Sequence, residues 1–443
     1  MKTRSASGPD AWAVSDLKNL PDCILSILPK LFSTIDETQQ WPDALQYGFC
    51  SLIPKDVNDM SPLGQRPLGV MSVLYRMYCA YRLQDVIQWQ ESVLHDAQFG
   101  FRPGHSCDDV FYDIALSIEE ALISGNSLVG VHFDYKKAFD MVPRNIIFHL
   151  AFQLGFSQPL LQVMKNMYVN LQRFFKLPGG HSAPFKSSCG ILQGCPLSVV
   201  FMNLMVSIWC RTIDAETSSK PRAFADDSMI LARSVADAEQ CLFLTGEFAQ
   251  ITAQELSPPK TVTWATMTQD REALRKLTFQ NHKLQVMMDT KSLGVHLCSS
   301  KVRSVSHHAV RMHQAITMAS KVASFPLPAN DRGLICATKI LPKVLFGTEV
   351  CPPVKADFGK LRSAIARAVW KKRSCRSTDV VLSLLHPVHR VDPYCAWVYR
   401  CLVQLRRMCL RRSDLKERIL TLWNGPRSKS WFGPVTALKI ALE

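Results

Sequence analysis

The sequence predicts an α+β fold, and three observations predict it. A nearly all-apolar run, Leu128 to Phe133, reads as a buried strand ending on Asp134. The stretch "AFADDSMIL", residues 223–231, reads as two short apolar runs meeting at Asp226-Asp227, a hairpin signal. Around them, stretches such as 74–94 and 185–213 repeat apolar residues at helical spacing or feed a long apolar helix.

The chain has 443 residues, enough for two or three domains with cores of their own. Its formal net charge of +15 favours a polyanionic partner, most simply nucleic acid. Fifteen cysteines are scattered with no C-x-x-C, which suggests neither a zinc ribbon nor a disulfide framework. Read as reduced thiols, they imply an intracellular compartment, nucleus or cytoplasm. The N-terminal "MKTRSASGPDAWAV" reads as a loose tail without the apolar core of a signal peptide. The longest apolar stretch, "LSVVFMNLMVSIWC", is broken by Ser198, Asn203 and Ser207 and is shorter than a span of about 20 residues. The expectation is a soluble protein with no membrane segment.

Each element follows in order. Residues 17–35 carry Leu and Ile at helical spacing. Residues 49–70 read as two short strands around a polar loop, and 74–94 as an amphipathic helix. Residues 99–125 are a Gly/Pro loop feeding a helix, with Ser106 as N-cap and Asp108 and Asp109 in the first turn. Two helices are read over 145–156 and 160–171. "GILQGCPLS" is a glycine-marked loop before the long helix. After the hairpin come a helix at 238–252, a strand in "PPKTVTWAT" and another strand in "KSLGVHL". From about Ser304 to Lys372 the pattern is helical and basic. Residues 373–443 are helical in places and rich in Arg and Trp, with no assigned role.

Three carboxylates stand out. Asp is a common turn residue, so Asp226-Asp227 alone needs no function. If the strand ending on Asp134 and the hairpin share one sheet, however, the three meet at one edge. Such a trio binds two divalent ions about 3.5–4 Å apart, the arrangement that serves phosphoryl transfer. Lys55 and Arg66 flank the turn-rich loop and offer a point charge and a fork to a triphosphate. Gly190 and Gly194 permit close backbone approach, and Gln193 could bond a base or sugar.

In this order the motifs resemble a reverse transcriptase of the non-LTR (LINE-like) retrotransposon type, related to group II intron enzymes. "LIPK…RPLGVMSVLYR" and "QFGFRPGHS" are similar to the first two fingers motifs. "FDYKKAFDMV" resembles the motif of the first catalytic Asp, "GILQGCPLSVVFMNL" the template-positioning motif, and "FADD" the [FY]-x-D-D box. "LSPPKT", "KSLGVHL" and "ILPKVLFGTE" resemble the Lys motif, the primer grip and the start of the thumb. The likeness covers about residues 40–370.

The resemblance implies a right-hand polymerase. Residues 1–40 would be an N-terminal helical extension and 41–300 fingers and palm, with a small antiparallel sheet backed by helices. Residues 301–372 would be a helical thumb and 373–443 a basic helical region. It implies RNA-directed DNA polymerase activity, by two-metal nucleotidyl transfer from a dNTP to a primer 3′-OH. The cofactor would be Mg²⁺, with Mn²⁺ a substitute, and the partners an RNA template, a DNA primer and dNTPs. Asp134, Asp226 and Asp227 would be the metal triad, with Asp227 the less essential. Lys55 and Arg66 would grip the triphosphate, and Phe139 would exclude a 2′-OH. Gln193 and Gly194 would pack near the nascent base pair, with Asn203 further along the helix. Lys260 would protonate pyrophosphate, and Leu293 and Gly294 would place the primer end.

Two positions depart from the family pattern: Val199 stands where Pro is frequent, and Ser257 where Asn is common. No endonuclease domain, RNase H signature or Cys/His knuckle is found, which leaves open a fragment of a larger polyprotein or a decayed copy; the presence of all three carboxylates argues against simple decay. The alternative readings are a catalytically silent nucleic-acid binder and a maturase-like protein.

Overall fold

The computed structural model describes residues 5–55, 59, 61, 64–301, 306–370, 377–384, 388–425 and 432–443. The expected boundary at 372/373 lies outside them, as does most of the loop between Lys55 and Gly64.

Three helices, α1 (Val14–Lys18), α2 (Asp22–Leu25) and α3 (Ile27–Thr38), open the chain. Strands β1 (Tyr47–Pro54) and β2 (Gln65–Met71) pair antiparallel, with Ile53 opposite Arg66. Next come α4 (Val73–Val93), α5 (Cys107–Ser124) and β3 (Val129–Phe133). Short α6 (Ala138–Met141) precedes α7 (Arg144–Gln153) and α8 (Gln158–Asn170). Strands β4 (Gln172–Leu177) and β5 (Gly180–His181) complete a four-stranded sheet in the order β2-β1-β4-β5. Helix α9 (Ser198–Glu216) leads into β6 (Lys220–Phe224) and β7 (Asp227–Ala232), then α10 (Val235–Ile251). Strand β8 (Val262–Ala265), α11 (Thr268–Leu274) and short strands β9 (Thr278–Phe279), β10 (His282–Lys283) and β11 (Gln285–Val286) follow. A second sheet runs in the order β11-β8-β3-β7-β6. The condition set by the sequence is thereby met: β3, which ends before Asp134, neighbours the hairpin strand that begins at Asp227.

"KSLGVHL" is not one strand. It is the turn of a hairpin, β12 (Asp289–Ser292) and β13 (Val295–Cys298), because Leu293 and Gly294 both take left-handed φ (49° and 81°). The rest is helical: α12 (Ser306–Ala323), α13 (Ala329–Ile335), α14 (Leu341–Val344), α15 (Lys355–Val369), α16 (Thr378–Ser383), α17 (Val388–Val391), α18 (Pro393–Arg411), α19 (Ser413–Asn424) and α20 (Pro434–Leu442).

The chain divides into two units. The first holds residues 1–106, 133–229 and 240–260; the second holds 107–132, 230–239 and 261–443. In the first, α9 is buried on nearly all faces, from Val200 and Phe201 to Trp209 and Ile213. By length and composition this 19-residue helix could cross a membrane, where the sequence had suggested too short a run, but two-thirds of it is buried. Its polar residues are bonded inside the unit: the Trp209 indole donates to Thr245 Oγ1 (3.0 Å), and Ser207 Oγ accepts the His95 amide (2.7 Å). No other helix among the described residues is so long and apolar.

The N-terminal segment is not loose either. Ser72 Oγ donates to Asp10 (2.6 Å), and Arg76 donates to the Ala6 carbonyl (2.5 Å), which fastens residues 6–10 to the start of α4.

In the second unit, Gly130 on β3 faces Trp264 on β8, where any Cβ would stand 2.2 Å from the indole. Helices α12 to α15 and α18 share one core, with Leu361, Ile365, Val344 and Trp397 buried in it. Helix α5 is covered by the last three helices through charge. Asp113, fully buried, accepts from Arg418 (3.0 Å) and pairs with Arg412 (3.6 Å). Arg407 donates to Asp109 (2.8 Å) and Arg418 to Glu120 (2.6 Å). Buried Glu119 accepts the amides of Val435 (2.9 Å) and Thr436 (2.7 Å) at the start of α20. Arg407, Arg412 and Arg418, in a region whose role was opaque in sequence, thus neutralise acids of α5. No described cysteine forms a disulfide.

Candidate active site

A cavity of about 1130 Å³ lies within the first unit. Asp134, Asp226 and Asp227 line it together with Lys55, Arg66, Phe139, Gln193 and Lys260. These eight residues named from sequence, and Gly190 with them, therefore meet on one surface. Gly194 adjoins it, with φ of 107° and the Gly69 carbonyl 2.8 Å from where a Cβ would sit, so only glycine fits there. Leu293 and Gly294 belong to the second unit, where Arg311 donates to the Gly294 carbonyl.

Local structure sets each carboxylate. Asp134 is the first residue beyond β3, and its carbonyl accepts the Ser257 amide (2.7 Å). The turn continues as the Lys260 amide bonds the Ser257 carbonyl (2.9 Å), which leaves Lys260 Nζ 3.9 Å from Asp134 Oδ2. Ser257 holds this turn by backbone, so the departure from Asn leaves these bonds in place.

Asp226 follows Ala225, whose φ of 57° makes the hairpin turn. That turn is clamped by Gln98, which is fully buried. Gln98 Oε1 accepts from Ala225 (3.2 Å) and Gly100 (2.9 Å), and Nε2 donates to the Ala225 carbonyl (3.2 Å). A Cβ on Gly100 would meet the Ala225 nitrogen at 2.3 Å. Asn203 donates to the Gly100 carbonyl (2.8 Å) and is fully buried. Asn203 lies further along the helix that follows the glycine-marked loop, as expected, and from there it braces the segment behind the hairpin.

The glycine-marked loop hangs on one residue that sequence reading did not single out. Arg144 donates to Gly190 O (2.7 Å), Ser187 O and Oγ (2.6 Å each), Cys189 O (3.0 Å) and Tyr168 O (3.1 Å). Its guanidinium also lies 4.9 Å above the Tyr168 ring. The Tyr168 hydroxyl in turn accepts the Leu192 amide (3.2 Å). Gln193 is fixed at both ends: its carbonyl accepts from Gly69 (3.0 Å), and its Nε2 donates to Asp140 (3.1 Å). Asp140, Arg173, Phe175 and Phe185 also line the cavity unforeseen, with Phe175 and Phe185 stacked at 4.6 Å. Nothing in the sequence marked Arg144, because basic residues are common throughout this chain.

Electrostatically the trio is strained. Burial pushes Asp227 up to about 6, and the charges of Asp226 and Asp134 add to it. Asp226 is raised by burial and by Asp134, against Arg66. Like charges gathered this way suit divalent cations, which cancel the repulsion. Among the described residues no three His, Cys, Asp or Glu close into a self-sufficient metal cluster. Mg²⁺ is commonly held by one or two carboxylates plus substrate phosphates. The residues present therefore fit divalent cations shared with a phosphate ligand.

Residues 53–297 match the family described as Reverse transcriptase (RNA-dependent DNA polymerase). The chain is 25% identical over 287 residues to a retrovirus-related Pol polyprotein from the type-2 retrotransposable element R2DM of Drosophila melanogaster, covering 62% of this chain and 26% of that protein. It is 26% identical over 209 residues to a probable RNA-directed DNA polymerase from transposon BS of the same organism, covering 46% and 23%. The chain thus spans about a quarter of the length of these relatives. Among solved structures it resembles a telomerase from Candida albicans, with 12% identity, a TM-score of 0.45, and coverage of 89% of this chain and 64% of that one. The family match covers more than half of the sequence, and the α+β content agrees with a right-hand polymerase: the chain belongs to the reverse transcriptase family.

Proposed function

We propose that this chain is an RNA-directed DNA polymerase of a non-LTR retrotransposon, adding deoxynucleotides to a primer 3′-OH. The observation that carries the proposal is the meeting of Asp134, Asp226 and Asp227 in one cavity with Lys55, Arg66 and Lys260. Nucleotidyl transfer needs positioning and charge stabilisation more than covalent help. Asp134 and Asp226 would hold two Mg²⁺ ions, with Asp227 contributing less. Bound there, the ions supply neutralisation of the triphosphate and activation of the primer hydroxyl.

The chain's own groups do the rest. Arg66 takes the triphosphate with its fork and Lys55 adds a point charge. Phe139 packs under the sugar and leaves no room for a 2′-OH. Gln193, oriented by Asp140, packs near the nascent base pair, where Gly194 lets the backbone approach. Lys260, poised 3.9 Å from Asp134, gives its proton to the departing pyrophosphate. Leu293 and Gly294 place the primer end. RNA template and DNA primer are held through their phosphates by a strongly basic chain, with steep salt dependence.

The test is primer extension on poly(rA)/oligo(dT) with dTTP and Mg²⁺, repeated with Mn²⁺, beside an Asp226→Ala, Asp227→Ala control. Extension by the wild type alone is the expected result. Tight template–primer binding without extension would sink the polymerase reading and leave a silent binder.

A further inference from the structure

The four-stranded sheet has two unlike faces. Along β1 burial alternates: Gly48 and Cys50 point inward, while Tyr47, Phe49 and Ser51 stand toward solvent. The inward face belongs to the active site, since Cys50, Arg173 and Phe175 line its cavity. The outward face takes no part in that chemistry. In the parallel pairing of β1 and β4, Phe49 stands beside Phe174, so Phe174 shares the outward face. Two residues on, Lys176 is opposite His181 of β5.

Four rings and a cation result. Tyr47 and Phe174 lie nearly parallel, 6.1 Å apart at 29°. Phe49 and His181 stack at 4.8 Å and 16°, and Lys176 Nζ stands 5.6 Å over the Phe49 ring. Tyr47, Lys176 and His181 are exposed, and Phe49 and Phe174 are half-exposed. Aromatics placed only to fill a core would be covered, and these are not.

Charge points to the occupant. No Asp or Glu occurs in residues 44–55, 64–72 or 171–188, the segments that build this sheet. Lys55, Arg66, Arg173, Lys176 and Lys186 do occur there. Exposed rings on a sheet, a flanking cation and no acid together make a surface for bases and phosphates. Such surfaces bind unpaired strands, because every base has a π-face to stack while a duplex hides its bases. From Tyr47 to Ser51 the face is roughly 13 Å long, enough for two or three stacked bases.

We propose that the outward face of this sheet, built on Tyr47, Phe49, Phe174, Lys176 and His181, is a binding platform for an unpaired nucleic-acid strand, separate from the catalytic cavity. The rings stack bases without sequence preference, and Lys176 meets the backbone.

The experiment uses the full chain and a fluorescein-labelled 20-nucleotide oligo(rU), read by anisotropy at several salt concentrations. Tyr47→Leu and Phe174→Leu keep apolar bulk and remove the π-face. Each should weaken binding about tenfold, from the usual size of base–aromatic stacking. Tyr47→Phe and Phe174→Trp should bind as the wild type does. Lys176→Ala should lower the salt slope by about one. None of these residues belongs to the catalytic set, so extension of a primer paired to a template with a short overhang should persist. Leu variants that bind oligo(rU) as tightly as the wild type would overturn the platform, as would equal weakening by the aromatic replacements. A wild type that binds oligo(rU) through these rings yet extends no primer would leave the platform standing and remove the polymerase reading alone.

Discussion

At the scale of single residues, the two kinds of group around the cavity should separate in experiment. Asp226→Asn should lower primer extension by roughly 10²–10³-fold or more, the usual loss when charge stabilisation is removed from a phosphoryl-transfer site. The same class of change should stabilise the fold. The Asp227 carboxyl is held up at about 6 by burial and its neighbours' charges, against an ordinary value near 4 in the unfolded chain. A raised pKa favours folding at low pH, and that advantage is lost as pH climbs through about 6. Asp227→Asn should therefore melt like the wild type near pH 4 and above it at pH 7 in EDTA. Solvent contact at Asp227 keeps the gap small, and Mg²⁺ should narrow it; a wild type that melts higher in EDTA at pH 7 would contradict the reading. Gln98→Ala should do the opposite of Asp227→Asn. It opens both sides of the clamp on Ala225, and should cost about 2–3 kcal/mol of stability and much of kcat, seen by denaturant melts and extension kinetics. The carboxylates were legible in sequence because acids between apolar runs are conspicuous. Gln98 and Arg144 were not, since a buried amide or guanidinium looks like any surface one until its partners, 127 and 46 residues away, are placed beside it.

At the scale of elements, strands and long helices were readable because period two and period 3.6 leave different marks. The hairpin at 289–298 was missed because its turn uses Leu293 in a left-handed conformation, which carries no glycine or asparagine signal at that position. The pairing of β3 with β8 carries its own pH dependence. Trp264 Nε1 donates to His132 Nε2 at 3.0 Å, so that nitrogen must be unprotonated. Burial lowers His132 to about 4 from an ordinary value near 6.5. A lowered pKa gives stability that is whole above about 6.5 and is lost as pH falls toward 4. The loss should be on the order of 3 kcal/mol, and His132→Gln should flatten it. A melting temperature of the wild type that does not fall across this window, relative to the variant, would contradict the assignment.

At the scale of the whole chain, helices α18 to α20 are structural for the second unit. Arg418→Ala would leave Asp113 and Glu120 short of their principal donor, and breaking a buried pair from one side costs about 3–5 kcal/mol. Circular dichroism melts should show that loss. Deleting residues 393–443 should give a chain that no longer folds to a cooperative state, whereas a dispensable tail would leave the melt unchanged. Sequence reading could not see this, because an Arg-rich helix has the same composition whether it meets nucleic acid or a neighbouring acidic helix.

The covering of α5 also imposes an order in time. Arg407 and Asp109 are separated by 298 residues. At a synthesis rate of about 5–20 residues per second, α5 leaves the ribosome roughly 15–60 s before the arginines that neutralise it exist. Through that interval Asp109, Asp113, Glu119 and Glu120 keep the nascent helix charged and hydrated, which delays its burial until those arginines have been made. A ribosome that stalls before residue 407 therefore releases a chain whose second unit cannot close, and such products are natural clients for chaperones and proteases.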